Sequence, residues 1–119
     1  MKQTLVLGAT PNPSRYAYKA IHALKEAGHP VVPVGIKNGS VAGQEIIQGK
    51  EQQEGIHTIT LYVGPQNQDE WISYIVNNNP QRVIFNPGTE NPDLMKVLNE
   101  QDIDFEEACT LVLLASNQY

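Results

Sequence analysis

Cysteine, tryptophan and long apolar runs are scarce in this chain of 119 residues. It contains one cysteine, Cys109, and one tryptophan, Trp71. A lone cysteine excludes an internal disulfide, and a reducing cytoplasm is then the default expectation, so we predict a cytoplasmic protein. No run of about 18 apolar residues is present, which argues against a membrane span. The chain begins in a strand-like segment, and we therefore expect no signal peptide.

The glycines and the acid of a dinucleotide site are also missing. The pattern G-x-G-x-x-G needs three glycines, but here only Gly8 is present, with Thr10 and Pro13 at the other two positions. The acid that holds the ribose of NAD should close the second strand. That strand ends in Gly35, and the first charge after it is Lys37. Both absences disfavour NAD, and a cation after the second strand suits a ligand that carries a further phosphate there.

Groupings of catalytic side chains are absent as well. His22, His29 and His57 are isolated and lack the spacing of metal ligands, so we expect no metal site. No set of paired carboxylates and no Ser/His/Asp arrangement is recognisable, so no catalytic residue is predicted. Cys109 lies in an apolar run, which predicts a buried structural thiol.

Charge is distributed unevenly along the chain. The net charge of −5 argues against non-specific binding to nucleic acid. The first forty residues carry five cations and one acid, whereas the remainder carries three cations and twelve acids. Lys19 and Lys25 fit a solvated helix face. Chance or an anionic ligand would each explain the remaining excess of positive charge.

Apolar runs alternate with helical patterns, which predicts parallel βαβ units. We expect one α/β domain over residues 1–119, a Rossmann-like three-layer sandwich with a parallel sheet of about five strands. The predicted strands are 3–8, 31–35, 58–63, 82–86 and 103–106. The predicted helices are 15–27, 67–78 and 92–101. Residues 36–56 are predicted to be irregular, and 109–115 fit a short helix or a strand equally well.

The first predicted strand, turn and helix have the geometry that brings backbone amides and a helix N-terminus to a phosphate. Gly8 allows a sharp turn and close approach of a ligand. Thr10 and Ser14 supply hydroxyls, and Arg15 supplies a charged fork suited to phosphate. Thr10 and Ser14 could also cap the helix. The sequence thus predicts an anionic, nucleotide-like ligand near the N-terminus.

Ligands of such sheets bind at the carboxyl ends of the strands. The loops that follow the predicted strands are therefore the candidate lining of the site. These loops are 8–16, 35–37, 64–65 and 86–88, with Cys109 as a further candidate.

Three segments of the chain carry a resemblance to a known family. Residues 6–15 read VLGATPNPSR, similar to V-G-A-S-x-N-P-x-R in the CoA-binding domain family. Residues 32–39, VPVGIKNG, resemble the family's V-x-P-V-N-P-K-G-G, although Gly35-Ile36 replaces its Asn-Pro. Residues 43–46, GQEI, match its G-x-E-I/V. The likeness is to small stand-alone bacterial members, and the same module is the N-terminal domain of the succinyl-CoA synthetase alpha subunit.

The resemblance implies coenzyme A, or an acyl-CoA, as the ligand. It implies a phosphate cradle formed by Gly8, Ala9, Thr10, Asn12, Ser14 and Arg15. It also implies that Lys37 meets the ribose 3′-phosphate or its neighbour. The rest of the ligand would be lined by Gly64, Pro65, Asn86 and Gly88. The catalytic histidine of the synthetase belongs to a further domain, so the synthetase reaction is not implied.

The expected function is that of a small cytoplasmic CoA- or acyl-CoA-binding protein without catalytic activity of its own. It would act as a carrier, a sensor or an accessory subunit for a small nucleotide ligand, with no nucleic acid or membrane as partner. Two alternatives remain open at this point. One is an NADP-binding or acyl-CoA-dependent enzyme component completed by a partner protein, and the other is an interaction module that binds no ligand.

Overall fold

The computed structural model describes residues 1–119 and contains seven strands and four α-helices. The strands are β1 (Thr4–Leu7), β2 (Val31–Val34), β3 (Ser40–Val41), β4 (Gln44–Glu45), β5 (Thr58–Leu61), β6 (Arg82–Phe85) and β7 (Asp104–Glu107). The helices are α1 (Tyr16–Glu26), α2 (Ile72–Asn77), α3 (Pro92–Glu100) and α4 (Thr110–Ala115). None of these helices has the length and apolar character needed to cross a membrane.

Five strands form one parallel sheet in the order β2-β1-β5-β6-β7. From β1 the chain first moves outward to β2 and then returns to the other side of β1 to form β5. The order therefore reverses between β1 and β5, and a crevice opens at the carboxyl ends of these two strands. The sheet confirms the predicted α/β Rossmann-like fold.

Helices cover both faces of the sheet. One core cluster contains residues of α1 such as Ala17, Ile21 and Leu24, with Leu114 of α4 packed against it. The other contains Ile75 of α2 together with Leu94 and Leu98 of α3. Residues of β1 alternate between the two clusters, as expected for a strand that is buried on both faces.

Two helix ends follow the sequence rules directly. Gly28 has a φ of +88° after the last turn of α1, a conformation that favours glycine and stops the helix. Asn91 caps α3, because its Oδ1 accepts from the amides of Asp93 at 3.1 Å and Leu94 at 3.4 Å. Pro92 stands at the first helical position, where its missing N–H is tolerated.

Two segments differ from the predictions. Residues 40–45, predicted to be irregular, form the β3–β4 hairpin, with Ala42 and Gly43 at φ of +52° and +80°. Ile47 then bonds to the edge of β2, accepting from Gly35 and donating to Pro33. The helix predicted over 67–78 begins at Ile72 and follows two short 3₁₀ turns, Pro65–Asn67 and Asp69–Trp71. The apolar run after Cys109 is helical, which settles the alternative left open by periodicity.

Candidate functional site

A cleft of about 890 Å³ lies at the carboxyl ends of the strands, where the strand order reverses. Its walls come from the loops after β1, β2, β5 and β6 and from the first turn of α1. Its lining residues are Gly8, Ala9, Thr10, Pro11, Asn12, Ser14, Arg15, Tyr16, Ala17, Ile36, Lys37, Asn38, Tyr62, Gly64, Pro87, Gly88 and Thr89. The volume falls in the range of small-molecule sites.

Nine of the eleven predicted site residues line this cleft, and Pro65 and Asn86 do not. Pro65 begins the first 3₁₀ turn after β5. Asn86 is buried beneath the cleft. Segments that are far apart in the chain therefore meet in one place, as the topology predicts, but Pro65 lies outside the lining and Asn86 lies below the surface.

Asn12 organises the loop between β1 and α1. Its Oδ1 accepts from the Ser14 amide at 3.0 Å and from the Ser14 hydroxyl at 2.8 Å, and its carbonyl accepts from the Arg15 amide at 3.1 Å. The Asn12 amide in turn donates to Thr10 Oγ1 at 3.2 Å. Neither Thr10 nor Ser14 caps α1, which begins after Arg15 without a side-chain cap. The positive end of α1 is thus left open beside the cleft.

The glycines of the site serve loop packing. Gly8 has a φ of +100°, and a Cβ there would stand 2.9 Å from the carbonyl carbon of Tyr62. A Cβ on Gly35 would stand 2.9 Å from the carbonyl oxygen of Ala9. The amides of Gly8 and Ala9 both donate to the carbonyl of Val34, at 2.9 and 3.0 Å. These two amides hold β1 to β2, so the free donors of this loop lie further along it.

Two cations face this cleft without an acidic partner. Arg15 and Lys37 are exposed, and the two ion pairs of the protein involve other residues, Lys50 and Arg82. No carboxylate is among the lining residues. A Cβ on Gly39 would stand 3.0 Å from the ring of Pro11, so the loops after β1 and β2 are in contact. The cleft therefore combines a helix N-terminus with two unpaired positive charges.

Asn86 is the centre of a buried polar network below the cleft. Its Nδ2 donates to Thr60 Oγ1 at 2.6 Å and to the carbonyl of Leu61 at 2.8 Å. Its Oδ1 accepts from the amide of Thr110 at 2.9 Å, and the Thr60 and Thr110 hydroxyls are 2.7 Å apart. Asn86 thereby ties the ends of β5 and β6 to the start of α4.

Gln68 has a comparable role that sequence reasoning missed. Its side chain is fully buried, and Nε2 donates to the carbonyls of Val63 at 2.9 Å and Thr89 at 2.7 Å. Its Oε1 accepts from Asn91 Nδ2 at 2.9 Å. Gln68 thus joins the loop after β5 to the loop after β6. A glutamine in a polar stretch, QNQDE, gives no signal of burial in the sequence.

A second, smaller pocket of about 240 Å³ adjoins the cleft. Tyr16, Tyr62 and Pro87 line both spaces. Cys109, which was predicted to be buried, is partly exposed on the wall of this pocket because it is the last residue before α4. Burial raises the pKa of Tyr62 to about 12, so its phenol is neutral near pH 7.

The structure contains no group of three or more His, Cys, Asp or Glu side chains that could hold a metal ion.

Comparisons with known proteins give a family and several similar structures. The family described as CoA binding domain matches residues 2–115. A crystal structure of an uncharacterized protein is 50% identical to the chain, with a TM-score of 0.98 over 100% of this chain and 98% of that one. No curated protein matches.

Two more distant structures share the fold. One is a protein from Thermus thermophilus, cell-free ID.343, with 24% identity and a TM-score of 0.87 over 99% of this chain and 90% of that one. The other is a hypothetical protein from Pyrococcus horikoshii OT3, with 24% identity and a TM-score of 0.88 over 98% and 83% of the two chains.

Proposed function

Because the chain belongs to the CoA-binding domain family, we propose that its cleft binds coenzyme A or an acyl-CoA. The phosphates would lie against the loop after β1 and the start of α1. The observation that carries this proposal is the pairing of an uncapped helix N-terminus with unpaired Arg15 and Lys37 on one cleft. Anions are stabilised at such a terminus, and charged hydrogen bonds add to the affinity.

Fewer residues have free hydrogen-bond donors for a phosphate than the family resemblance implies. Gly8 and Ala9 use their amides on Val34, and Ser14 uses its amide and its hydroxyl on Asn12. We therefore assign the pyrophosphate to the Arg15 guanidinium and to the amides of the first turn of α1. Lys37 comes from the neighbouring loop and is assigned to the phosphate on the adenosine ribose. Gly64 and Gly88 would border the arm of the ligand.

The proposed role is that of a carrier, sensor or accessory subunit, with residues 1–119 acting as one CoA-binding domain. The lining supports binding because it offers hydroxyls, cations and a helix terminus. NAD is disfavoured because Gly35, Ile36 and Lys37 follow β2, where an acid would be needed to hold the ribose hydroxyl.

Calorimetric titration with CoA, dephospho-CoA, NADP and NAD tests the proposal. We expect CoA to bind more tightly than dephospho-CoA, and NAD not to bind. Lys37→Ala should weaken CoA about tenfold by removing a charged hydrogen bond of at least ~1.5 kcal/mol. Dephospho-CoA should be affected little, because it lacks that phosphate.

Lys96→Ala is the matched control, since Lys96 is an exposed cation on α3, away from the cleft. It changes the net charge by the same amount and should leave CoA affinity unchanged. Binding of NAD in preference to CoA would overturn the proposed function. Equal weakening of CoA and dephospho-CoA by Lys37→Ala would refute the role given to Lys37.

A further inference from the structure

We propose that the small pocket beside the cleft holds a short acyl group at the thiol end of the ligand, so that the protein prefers short-chain acyl-CoA to free CoA. This inference rests on the proposed function. It concerns a space between the ends of β5 and β6 and the start of α4, which is lined by neither Arg15 nor Lys37 and borders the first turn of α1 through Tyr16. Its wall contains Tyr16, Tyr62, Pro87, Cys109 and Leu111.

The chemistry of the pocket fits an aliphatic group. No charged side chain lines it, and its one amide side chain, Asn86, is engaged in three internal hydrogen bonds. The hydroxyl of Tyr62 is buried and has no hydrogen-bond partner. A charged terminus would lose its hydration in this pocket without meeting an opposite charge, whereas methylene groups gain by leaving water.

The position of the pocket fits the far end of the ligand. Lys37, assigned to the adenosine phosphate, lies in the loop after β2, and Pro87 lies in the loop after β6. Three strand spacings separate these loops, or roughly 14 Å. CoA carries the phosphate on its adenosine ribose at one end and its thiol at the other, with the pyrophosphate between them. A ligand crossing the cleft from β2 toward β6 therefore reaches Pro87 and Tyr62, where the cleft and the pocket meet.

The size of the pocket sets the length of the acyl group. A cavity of about 150 Å³ accepts the six carbons of benzene, so 240 Å³ holds about nine or ten non-hydrogen atoms. The cysteamine end of the ligand and the thioester carbonyl take about six of these, which leaves room for about three carbons beyond the carbonyl. Each buried methylene favours binding by about fourfold. We therefore expect affinity to rise from acetyl to butyryl and then to level off, because further carbons extend beyond the pocket.

Titration of the protein with CoA, acetyl-CoA, butyryl-CoA and octanoyl-CoA measures this dependence. Butyryl-CoA should bind more tightly than CoA and roughly sixteenfold more tightly than acetyl-CoA. Octanoyl-CoA should bind no more tightly than butyryl-CoA. Leu111→Trp fills the pocket and should abolish the preference while CoA affinity is retained. Leu111→Ala enlarges the pocket and should shift the best chain toward octanoyl. Val112→Trp is the matched control, because Val112 is the next residue of α4, is 60% exposed and lies outside the pocket.

The outcomes separate this inference from the function on which it rests. Equal affinities for CoA and all three acyl-CoAs would overturn the acyl pocket and leave CoA binding intact. A preference that survives Leu111→Trp would also overturn it, because the acyl group would then lie elsewhere. If none of the four ligands binds the wild-type protein, the proposed function fails and the acyl pocket fails with it.

Discussion

At the scale of single residues, the loop after β1 separates groups that hold the fold from groups that face the cleft. Gly8 is required by its positive φ and by the backbone of Tyr62 beside it, so a side chain there disturbs the loop before it meets any ligand. The oxygens of Asn12 accept hydrogen bonds from Ser14 and from the Arg15 amide, so they hold the loop together. Arg15 remains with an exposed guanidinium and no ion pair, and it is the residue at which binding and stability can be separated.

Arg15→Gln tests that separation. The substitution should lower affinity for CoA and for dephospho-CoA alike by about tenfold, because both ligands carry the pyrophosphate. The free energy of unfolding should change by less than about 0.5 kcal/mol, as is usual for exposed positions. Titration calorimetry and urea unfolding give the two quantities. Unchanged affinity would remove Arg15 from the proposed site.

At the scale of secondary structure, sequence reasoning succeeded where local signals are strong. The five sheet strands and α1 follow from apolar periodicity, and Asn91-Pro92 marks the start of α3. The β3–β4 hairpin was missed because its turn has Ala42 where a positive φ usually calls for Asn, Asp or Gly. The late start of α2 was missed because burial of Gln68 depends on Val63 and Thr89, contacts that exist only after folding.

The predicted site residues likewise line the cleft where local signals suffice and lie elsewhere where tertiary contacts decide. Most predicted residues reach the cleft because each follows a strand of a parallel sheet. Of the two exceptions, Pro65 and Asn86, Asn86 also directly follows a strand, but its side chain turns inward to Thr60 and Thr110. Strand ends can be found from periodicity, whereas the direction of a polar side chain at such an end is decided by its tertiary partners.

Asn86→Ala tests the attachment of α4 to the sheet. The variant leaves the carbonyl of Leu61 and the amide of Thr110 without their partners, at about 1–3 kcal/mol for each unsatisfied group. We expect the free energy of unfolding to fall by at least about 2 kcal/mol in urea. Asn99→Ala, on the exposed surface of α3, is the matched control and should remain near wild type. A loss no larger than that of the control would show that Asn86 does not anchor α4.

At the scale of the whole molecule, positively charged side chains gather at both ends of the sheet. The carboxyl end carries the open cleft. The opposite end gathers Lys2, His29, His57 and Arg82 near Tyr119, with the Arg82 guanidinium 4.5 Å from the Tyr119 ring. Burial and then the neighbouring positive charges lower the pKa of His29 and of His57. His29 Nδ1 also accepts from the Lys2 amide at 3.1 Å, a bond that protonation of that nitrogen breaks.

Stability should therefore depend on pH in a predictable direction. A histidine whose pKa is lowered by folding binds protons more weakly in the native state, so the unfolded state gains as the pH falls. We expect the free energy of unfolding to decrease below about pH 6.5, the ordinary pKa of histidine. His29→Gln and His57→Gln should flatten this decrease, and His22→Gln, an exposed position on α1, should not. A wild-type protein equally stable at pH 5 and pH 7 would contradict this account.

The interior position of β1 in the sheet also fixes when the protein can fold. Thr4 pairs with Val31 on one side and with Thr58 on the other, so the first strand gains its second neighbour only after about half of the chain is available. Such distant pairings close slowly, because the entropy of long loops is lost before their contacts form. During synthesis, one edge of β1 therefore stays without a hydrogen-bonded neighbour until β5 emerges. A ligand that needs both strand ends can recognise the chain only after that moment.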